Sequence, residues 1–280
     1  MPLQSISEQE KDPSLHLPRF LCLHGGGSNA KIFRAQCRGL VARLKSHFRF
    51  VFADAPFLSQ AGPCVLSVYA SYAPFRRWLR WTPEQPEISA IDAVTHIEHS
   101  LWQAMDEDDN KGATGDWVGL MGFSQGAKMS ASLLFQQQLR AEKLAKGGPE
   151  SEWDKRANFH FAVLLAGQGP LVSLDPDHLW APTLHDAATM TLSNQDIGVP
   201  DAENHEHMIW IPTIHVHGLR DPGLHLHRRL LDGYCEKEST RLVEWDGDHR
   251  LPIKNKDVTS VVKEILSVSM LTGALKDRTA

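Results

Sequence analysis

Short apolar runs alternate along the chain with segments in which apolar side chains recur every three or four residues. An unbroken apolar run that stops at glycine, proline or aspartate is typical of a strand buried on both faces. Such runs predict strands at residues 19–24, 48–53, 117–121, 159–165, 209–217 and 241–245. The helical spacing predicts helices over residues 30–46, 88–106, 127–139, 224–236 and 257–270. This alternation indicates an α/β fold with a mostly parallel central sheet flanked by helices.

Two segments interrupt the alternation and are interpreted as insertions. Residues 57–90 are rich in proline, glycine and aromatic residues without a clear period, which favours an insertion over the sheet edge. Residues 167–208 are rich in proline, aspartate and asparagine, and they are too long for a plain connection. Residues 140–157 are charged and predicted to be a surface connection. Residues 1–18 are predicted to be a flexible lead-in to a single domain over residues 19–280.

Composition narrows the class of protein without identifying a chemistry. The chain has 280 residues, 42% hydrophobic and 22% charged, as expected for an ordinary soluble globular protein. A net charge of -5 gives no basic face for nucleic acid and no polybasic patch for membranes. No apolar stretch approaches the length needed to cross a bilayer. The four cysteines form no CxxC pair, which favours a reducing compartment, so a cytoplasmic location is expected.

The sequence Gly122-Phe123-Ser124-Gln125-Gly126 matches the G-x-S-x-G pattern of a nucleophilic serine. A predicted strand leads into it and a predicted helix follows. A sharp strand-to-helix turn lifts the serine hydroxyl above the sheet and needs small neighbours. The helix N-terminus behind the serine favours developing negative charge. Ser124 is therefore the predicted nucleophile, the alternative being a tight glycine turn that merely contains a serine.

A serine nucleophile needs a base, and in this kind of fold the chain order is serine, acid, histidine. His249 lies in a loop between the last predicted strand and the last predicted helix, which makes it the predicted base. Asp221 follows the strand at 209–217 and is the predicted acid. Asp175 and Asp177 are the rival placement. Asp246 and Asp248 lie too near His249 in sequence for the usual arrangement.

Acyl transfer also needs N–H donors aimed at the oxygen of the tetrahedral intermediate. The backbone N–H of Gln125, directly after the nucleophile, is one predicted donor. The other is predicted to come from the glycine loop after the first strand, at Gly26 with Gly27 as the next choice. A phosphate-binding glycine loop is the alternative, but neither the G-x-G-x-x-G spacing nor a Walker lysine is present.

Several segments together resemble one known family. They are the run from Phe20 to Asn29, the nucleophile motif, Gly218-Leu219-Arg220-Asp221-Pro222 and Gly247-Asp248-His249. In this order they are similar to the FSH1-type serine hydrolases of fungi and animals. The stretch from Tyr72 to Trp78 resembles a further family segment, with Ala73 where glycine is usual. The resemblance implies an α/β-hydrolase fold, no cofactor, and esterase or thioesterase activity. The long insertion resembles fungal members that release or edit chains on a polyketide synthase.

The segment 57–90 carries further candidate chemistry. Its aromatic side chains could line an acyl pocket, with Tyr72, Phe75 and Trp78 as candidate substrate-binding residues, or they could form a small core of their own. The neighbouring arginines could meet an acidic partner such as an acyl carrier protein, or they could form a solvated basic face. They are Arg76, Arg77 and Arg80.

Three H-x-H pairs raise the question of a metal site. They are His205/His207, His215/His217 and His225/His227. Two-residue spacing on a strand would place both rings on one face, as zinc ligands require. A full ligand set is missing, so packing and hydrogen bonding are the favoured explanation and no metal is expected.

The sequence therefore predicts a serine hydrolase that cleaves a small-molecule thioester or ester through an acyl-enzyme. The expected partner is an acyl carrier protein of a polyketide synthase, with no nucleic acid and no membrane. A general carboxylesterase for small esters stays open as an alternative. So does a non-catalytic binding protein with the same fold.

Overall fold

Six parallel strands form the central sheet of the computed structural model, which describes residues 12–63, 65–175, 183–190 and 208–276. Their order is β2-β1-β5-β6-β7-β8. These strands are β1 Arg19–Leu23, β2 Arg49–Ala53, β5 Trp117–Phe123, β6 Phe161–Leu165, β7 Thr213–Gly218 and β8 Thr240–Trp245, and a separate hairpin is formed by β3 Phe57–Ser59 and β4 Phe75–Arg77. Every pairing in the six-stranded sheet is parallel, which confirms the predicted architecture.

Helices cover both faces of this sheet. They are α1 Ala30–Gln36, α2 Arg38–Leu44, α3 Leu66–Tyr69, α4 Ala90–Asp109, α5 Gln125–Ala145, α6 Glu152–Arg156, α7 Leu224–Tyr234 and α8 Asn255–Leu271. Alternate strand residues point to opposite faces. Phe20 of β1 belongs to a hydrophobic cluster that includes residues of α1, α2 and α8, while Leu21 belongs to one that includes residues of α4, α5 and α7. Each of the two hydrophobic clusters therefore lies on one face of the sheet.

Local signals explain where several helices begin and end. The Asn29 side chain accepts a hydrogen bond from the backbone N–H of Ile32 and starts α1, while Ser89 does the same for α4. The predicted helix over 30–46 is two helices, since the chain turns at Cys37 between α1 and α2. The expected surface connection at 140–157 instead holds the end of α5 and the short helix α6, which buries Trp153.

The first insertion, 57–90, is more ordered than the sequence suggested. It contains the antiparallel hairpin β3–β4, the helix α3 and a short 3-10 turn. A bridge between Ser28 and Arg76 attaches this hairpin to the loop after β1. The hairpin therefore lies against the glycine loop that the sequence associated with the oxyanion.

The second insertion and the N-terminal segment are described only in part. Val172 and His185 form a parallel bridge, and Leu171, Val172 and Leu184 are buried in the core. Residues 12–18, expected to be part of a loose lead-in, pack through Leu17, and Leu15 O accepts the N–H of Thr114. Within the ranges given above, no helix is long and apolar enough to cross a membrane.

Candidate active site

Ser124 stands at the sharp turn between β5 and α5, as predicted. Its backbone has φ 53° and ψ -116°, a left-handed conformation that a residue with a side chain rarely adopts. The turn is closely packed, because a Cβ on Gly122 would lie 2.2 Å from the carbonyl oxygen of Gly126. A Cβ on Gly126 would lie 2.1 Å from the carbonyl oxygen of Leu23. Both glycines of the motif are therefore required by steric fit.

The structure brings Ser124, His249 and Asp221 into one hydrogen-bonded chain. Ser124 Oγ lies 3.0 Å from His249 Nε2, and His249 Nδ1 lies 2.6 Å from Asp221 Oδ2. An ionised carboxylate can only accept, so Nδ1 carries a hydrogen and Nε2 is the acceptor for the serine hydroxyl. The three side chains come from loops after β5, β7 and β8, which end at the same edge of the parallel sheet.

Asp221 is held in place and kept ionised by its surroundings. Its other oxygen, Oδ1, accepts the backbone N–H of Gly223 at 2.8 Å. Burial by itself would raise the pKa of Asp221, but the hydrogen bond from His249 and the N–H of Gly223 outweigh it and lower the pKa below its ordinary value. A buried carboxylate in this state orients the imidazole and stabilises its protonated form.

A row of buried histidines leads from β7 to the acid, which the sequence did not indicate. The ring centroids of His215 and His217 are 5.8 Å apart, and those of His217 and His227 are 5.4 Å apart. His227 Nε2 lies 3.6 Å from Asp221 Oδ2. Burial lowers the pKa of His227 to about 4 and that of His215 to about 3, so both rings are neutral at pH 7.

The glycine loop after β1 places Gly26 beside the nucleophile in the same cavity. The N–H of Gly27 donates to the carbonyl oxygen of Arg76 at 2.9 Å, so it is already engaged. In the described part of the chain the N–H of Gly26 has no such backbone acceptor, and that of Gln125 stands in the first turn of α5, where no intrahelical acceptor exists. Both N–H groups border the cavity that contains Ser124.

The side chain of Gln125 has a function that the sequence pattern missed. Its Oε1 accepts the backbone N–H groups of Trp78 at 2.8 Å and Leu79 at 3.1 Å. Its Nε2 donates to the carbonyl oxygen of Leu79 at 3.0 Å. The residue that follows the nucleophile thus fastens the strand end of the hairpin to the turn. No local sequence signal predicts a contact between residues that are 46 positions apart.

A cavity of about 760 Å³ opens over Ser124. Apolar and aromatic side chains form much of its wall, among them Val65, Val68, Tyr69, Trp81, Phe123, Trp245, Leu251 and Ile253. A volume of this size is typical of sites for small organic molecules.

The aromatic residues of the insertion divide between this cavity and the interior. Tyr69 and Trp81 line the cavity. The candidate substrate-binding residues Tyr72, Phe75 and Trp78 do not line it, so the structure corrects that expectation. Trp78 is fully buried, and its Nε1 donates to the carbonyl oxygen of His24 at 2.8 Å. The stretch therefore forms a small core on one side and a cavity wall on the other.

The three arginines of this segment do not share one exposed basic face. Arg77 is buried and lies over the ring of Phe57. Arg76 donates to the carbonyl oxygen of Ala55 at 3.1 Å, and Arg80 pairs with Glu87 at 2.9 Å. Because Arg77 is buried and the other two contact neighbouring segments, the three arginines form neither the docking face nor the solvated basic face that the sequence left open.

The rival acids and the histidine pairs are also accounted for where they are described. Burial raises the pKa of Glu98 on α4, and the charge of Asp175 adds to this effect. Asp177, His205 and His207 lie outside the described residues. His227 is buried while His225 is exposed, as expected for two residues on one helix. Among described residues the three groups that could jointly hold a metal are Asp221, His227 and His249, within 4.8 Å. Of these three, His249 and Asp221 are already hydrogen-bonded to each other.

Known proteins are similar to this chain over nearly its whole length. The sequence profile of the family described as "Serine hydrolase (FSH1)" matches residues 14–261. Esterase pigG of Monascus ruber is 52% identical over 95% of this chain and 97% of its own. Esterase citA of the same fungus is 54% identical over 94% and 96%, and esterase dbaE of Emericella nidulans is 50% identical over 98% and 99%.

Solved structures show a more distant likeness. The carboxylesterase of Bacillus cereus has a TM-score of 0.49 and 15% identity, covering 92% of this chain and 91% of its own. Acyl-protein thioesterase 2 of Zea mays has a TM-score of 0.48 and 17% identity, covering 90% and 94%. At these values the likeness says nothing about activity or substrate.

Proposed function

The chain belongs to the FSH1 serine hydrolase family, and from this premise we propose that it cleaves a thioester or ester through an acyl-enzyme formed on Ser124. Hydrolase activity of the esterase class follows from the family itself. The proposal concerns the mechanism, the residues that perform it and the kind of acyl chain that is cleaved.

One observation supports the mechanism above all others. The Ser124 hydroxyl, the His249 imidazole and the Asp221 carboxylate form an unbroken hydrogen-bonded chain with distances of 3.0 and 2.6 Å. Because Ser124 and His249 both line the cavity, a substrate carbonyl can reach the hydroxyl while its proton acceptor is already in place. A binding protein with the same fold has no need of this arrangement.

The reaction proposed runs in two halves. Ser124 Oγ attacks the carbonyl carbon while His249 Nε2 takes the hydroxyl proton, and Asp221 stabilises the imidazolium. The backbone N–H groups of Gly26 and Gln125 bind the oxyanion of the tetrahedral intermediate. His249 then protonates the leaving thiol or alcohol. Water, deprotonated by His249, attacks the acyl-enzyme in the second half and regenerates Ser124.

The acyl group is proposed to be a polyketide or similar extended chain. A cavity of about 760 Å³ with aromatic and aliphatic walls is larger than a short ester needs, and it suits a chain or ring system of drug-like size. The likeness to the fungal esterases pigG and citA is compatible with this role. Release or editing of chains in secondary metabolism is therefore the proposed role.

Delivery of the chain by an acyl carrier protein is part of this proposal. Exposed Arg38 and Lys254 stand among the residues that line the cavity, where they would attract the acidic surface or the phosphate of a carrier arm. Arg38→Ala and Lys254→Ala are expected to raise KM for a carrier-bound thioester and to leave a free thioester unaffected. Lys263→Ala, an exposed change on α8, serves as the control. An equal effect on both substrates would contradict carrier docking.

The nucleophile itself is tested with a fluorophosphonate probe followed by peptide mass mapping. We expect one adduct on Ser124 in the wild type, no adduct in Ser124→Ala, and a strongly reduced labelling rate in His249→Ala. Ser260→Ala, an exposed serine of α8, should label as the wild type does. An adduct on another serine, or hydrolysis retained by Ser124→Ala, would overturn the assignment.

A substrate panel then separates the classes of ester. Matched N-acetylcysteamine thioesters and phenyl esters of the same acids, from acetyl to decanoyl, would be compared by kcat/KM. Preference for long acyl groups and for thioesters supports the proposed role. Preference for acetyl esters would instead support a general carboxylesterase.

A further inference from the structure

Lys128 is a buried amine in the wall of the cavity that contains Ser124. It lies one turn after Ser124 on α5, and only 4% of its surface is exposed. Lys128 and Ser124 line the same cavity. The reaction proposed above makes no use of this amine.

Among the described residues, the charged group that acts on Lys128 is a cation. Arg229 of α7 lowers the pKa of Lys128 in addition to the effect of burial, and no carboxylate among the described residues opposes this. Burial lowers the pKa of His185, and the positive charges of Lys128 and Arg229 lower it further. The positive charge of Arg229 beside the buried amine favours a bound anion in this part of the cavity.

A purely structural role does not account for this side chain. The backbone of Lys128 makes local contacts that any residue could make, since its N–H donates to Ser124 O at 3.1 Å and its carbonyl accepts the Ser132 hydroxyl at 2.9 Å. The amine, by contrast, is buried and forms no ion pair with a described residue. A buried ammonium without a partner is destabilising, and an apolar residue of similar volume would fold at least as well.

We propose that Lys128 is a substrate-recognition residue that binds an acidic oxygen, carboxylate or ionised enol or phenol, carried by the substrate near its reacting carbonyl. This inference rests on the proposed function and narrows its substrate class. The bound oxyanion forms the ion pair that Lys128 does not form with any described residue. Aromatic and aliphatic walls formed by Phe123, Trp245 and Val68 hold the carbon skeleton, while the amine selects for the acidic group.

The pKa of Lys128 agrees with such a role. Burial lowers it to about 7, so at neutral pH the empty site holds a large share of neutral amine. A substrate anion raises that pKa again when it binds, because an opposite charge favours the ammonium. Binding is therefore accompanied by uptake of a proton when the free amine is neutral, and no permanent unpaired charge has to be buried in the free enzyme.

The test uses pairs of substrates that differ only in charge. N-acetylcysteamine thioesters of glutaric, adipic and suberic acid, each with a free distal carboxylate, are compared with the same thioesters capped as methyl esters. The wild type is expected to prefer the anionic member at one chain length or more by about 10- to 100-fold in kcat/KM, as for a charge-assisted hydrogen bond. Lys128→Met should abolish the preference, mainly through KM, and Lys128→Arg should retain part of it.

Three controls keep the outcomes distinct. Lys143→Met, an exposed lysine on the same helix, should keep the wild-type preference. Lys128→Met should still form the fluorophosphonate adduct on Ser124 and should melt at the same or a higher temperature, whereas loss of a structural lysine would leave a less stable variant. Absence of a preference in the wild type, or the same preference in Lys128→Met, would overturn this inference alone. Absence of labelling at Ser124 in the wild type would overturn the proposed function itself.

Discussion

The side-chain oxygen of Gln125 accepts the backbone N–H of Trp78 at 2.8 Å. This contact joins the residue after the nucleophile to the end of a hairpin that stands 47 positions earlier in the chain. The backbone N–H of Gln125 is the proposed oxyanion donor, so one residue both offers the donor and fixes the wall beside it. The hairpin in turn accepts the N–H of Gly27 through Arg76 O.

Loss of the Gln125 side chain should therefore weaken catalysis and folding together. In Gln125→Ala the N–H groups of Trp78 and Leu79 lose their acceptor, which is expected to lower the free energy of unfolding by about 1–3 kcal/mol. We expect kcat/KM to fall about 10- to 100-fold as the oxyanion loop loosens. Urea unfolding and steady-state kinetics measure the two effects. The control is Gln103→Ala, an exposed change on α4, and a fall in neither quantity would contradict this function of Gln125.

The two glycines of the oxyanion loop should separate activity from stability. A Cβ on Gly26 would meet only Gln125 Oε1 at 3.3 Å, whereas a Cβ on Gly27 would lie 2.1 Å from Gly62 N, with φ at 69°. Gly26→Ala is therefore expected to lower kcat with little change in melting temperature. Gly27→Ala should lower the melting temperature strongly, because it combines backbone strain with a clash. Thermal unfolding and kcat of the two variants decide the matter, and the reverse pattern would refute the assignment of Gly26.

The division of aromatic residues between core and cavity predicts two different phenotypes for the same substitution. Trp78→Phe removes the donor to His24 O inside the core, and should lower the free energy of unfolding by about 1–3 kcal/mol. Trp81→Phe trims the cavity wall, and should change the ratio of kcat/KM for long and short acyl chains with little loss of stability. Chemical unfolding and an acyl-length series provide the measurements. Equal changes in selectivity from both variants would show that Trp78 also contacts substrate.

The burial of His24 predicts a dependence of stability on pH. His24 Nδ1 donates to Gly25 O at 2.8 Å, and Nε2 accepts the N–H of Ala55 at 3.0 Å, so the folded ring is neutral. Burial lowers its pKa to about 4, while the unfolded chain titrates near 6.5. Between these values only the unfolded state takes up the proton. The stabilisation is complete above pH 6.5 and is lost at about 1.4 kcal/mol per unit as the pH falls toward 4.

Urea unfolding at several pH values from 7.5 to about 4.5 tests this titration. In His24→Gln the fall in unfolding free energy over this range should be smaller than in the wild type. The matched control is His99→Gln, an exposed histidine of α4, which should keep the wild-type pH dependence. An unchanged slope in His24→Gln would show that other groups, such as the buried His215 and His217, account for all of the loss.

The sequence could predict the sheet because each strand carries its own evidence. An unbroken apolar run such as β6, buried at every position, needs no knowledge of its neighbours to be recognised. The chain order of Ser124, Asp221 and His249 could also be predicted to converge, since parallel strands end at one edge. The division of residues 30–46 into two helices could not be predicted from the sequence, because the turn at Cys37 contains neither glycine nor proline.

The positions that the sequence left open are those whose environment comes from distant segments. Trp78 and Trp81 are identical residues three positions apart, yet one is sealed beneath the loop of His24 and the other faces the cavity. Arg77 looks like a solvated cation in sequence and is buried over Phe57.

By itself the sequence determined the α/β architecture and brought out three candidate catalytic residues, because periodicity and motif order are local properties of the chain. Only the tertiary structure decided which aromatic residues face the cavity, which loop N–H stays free, and that Lys128 is buried beside Ser124. Burial and hydrogen-bond occupancy depend on atoms that are tens of residues away in the chain, and close packing alone brings those atoms together.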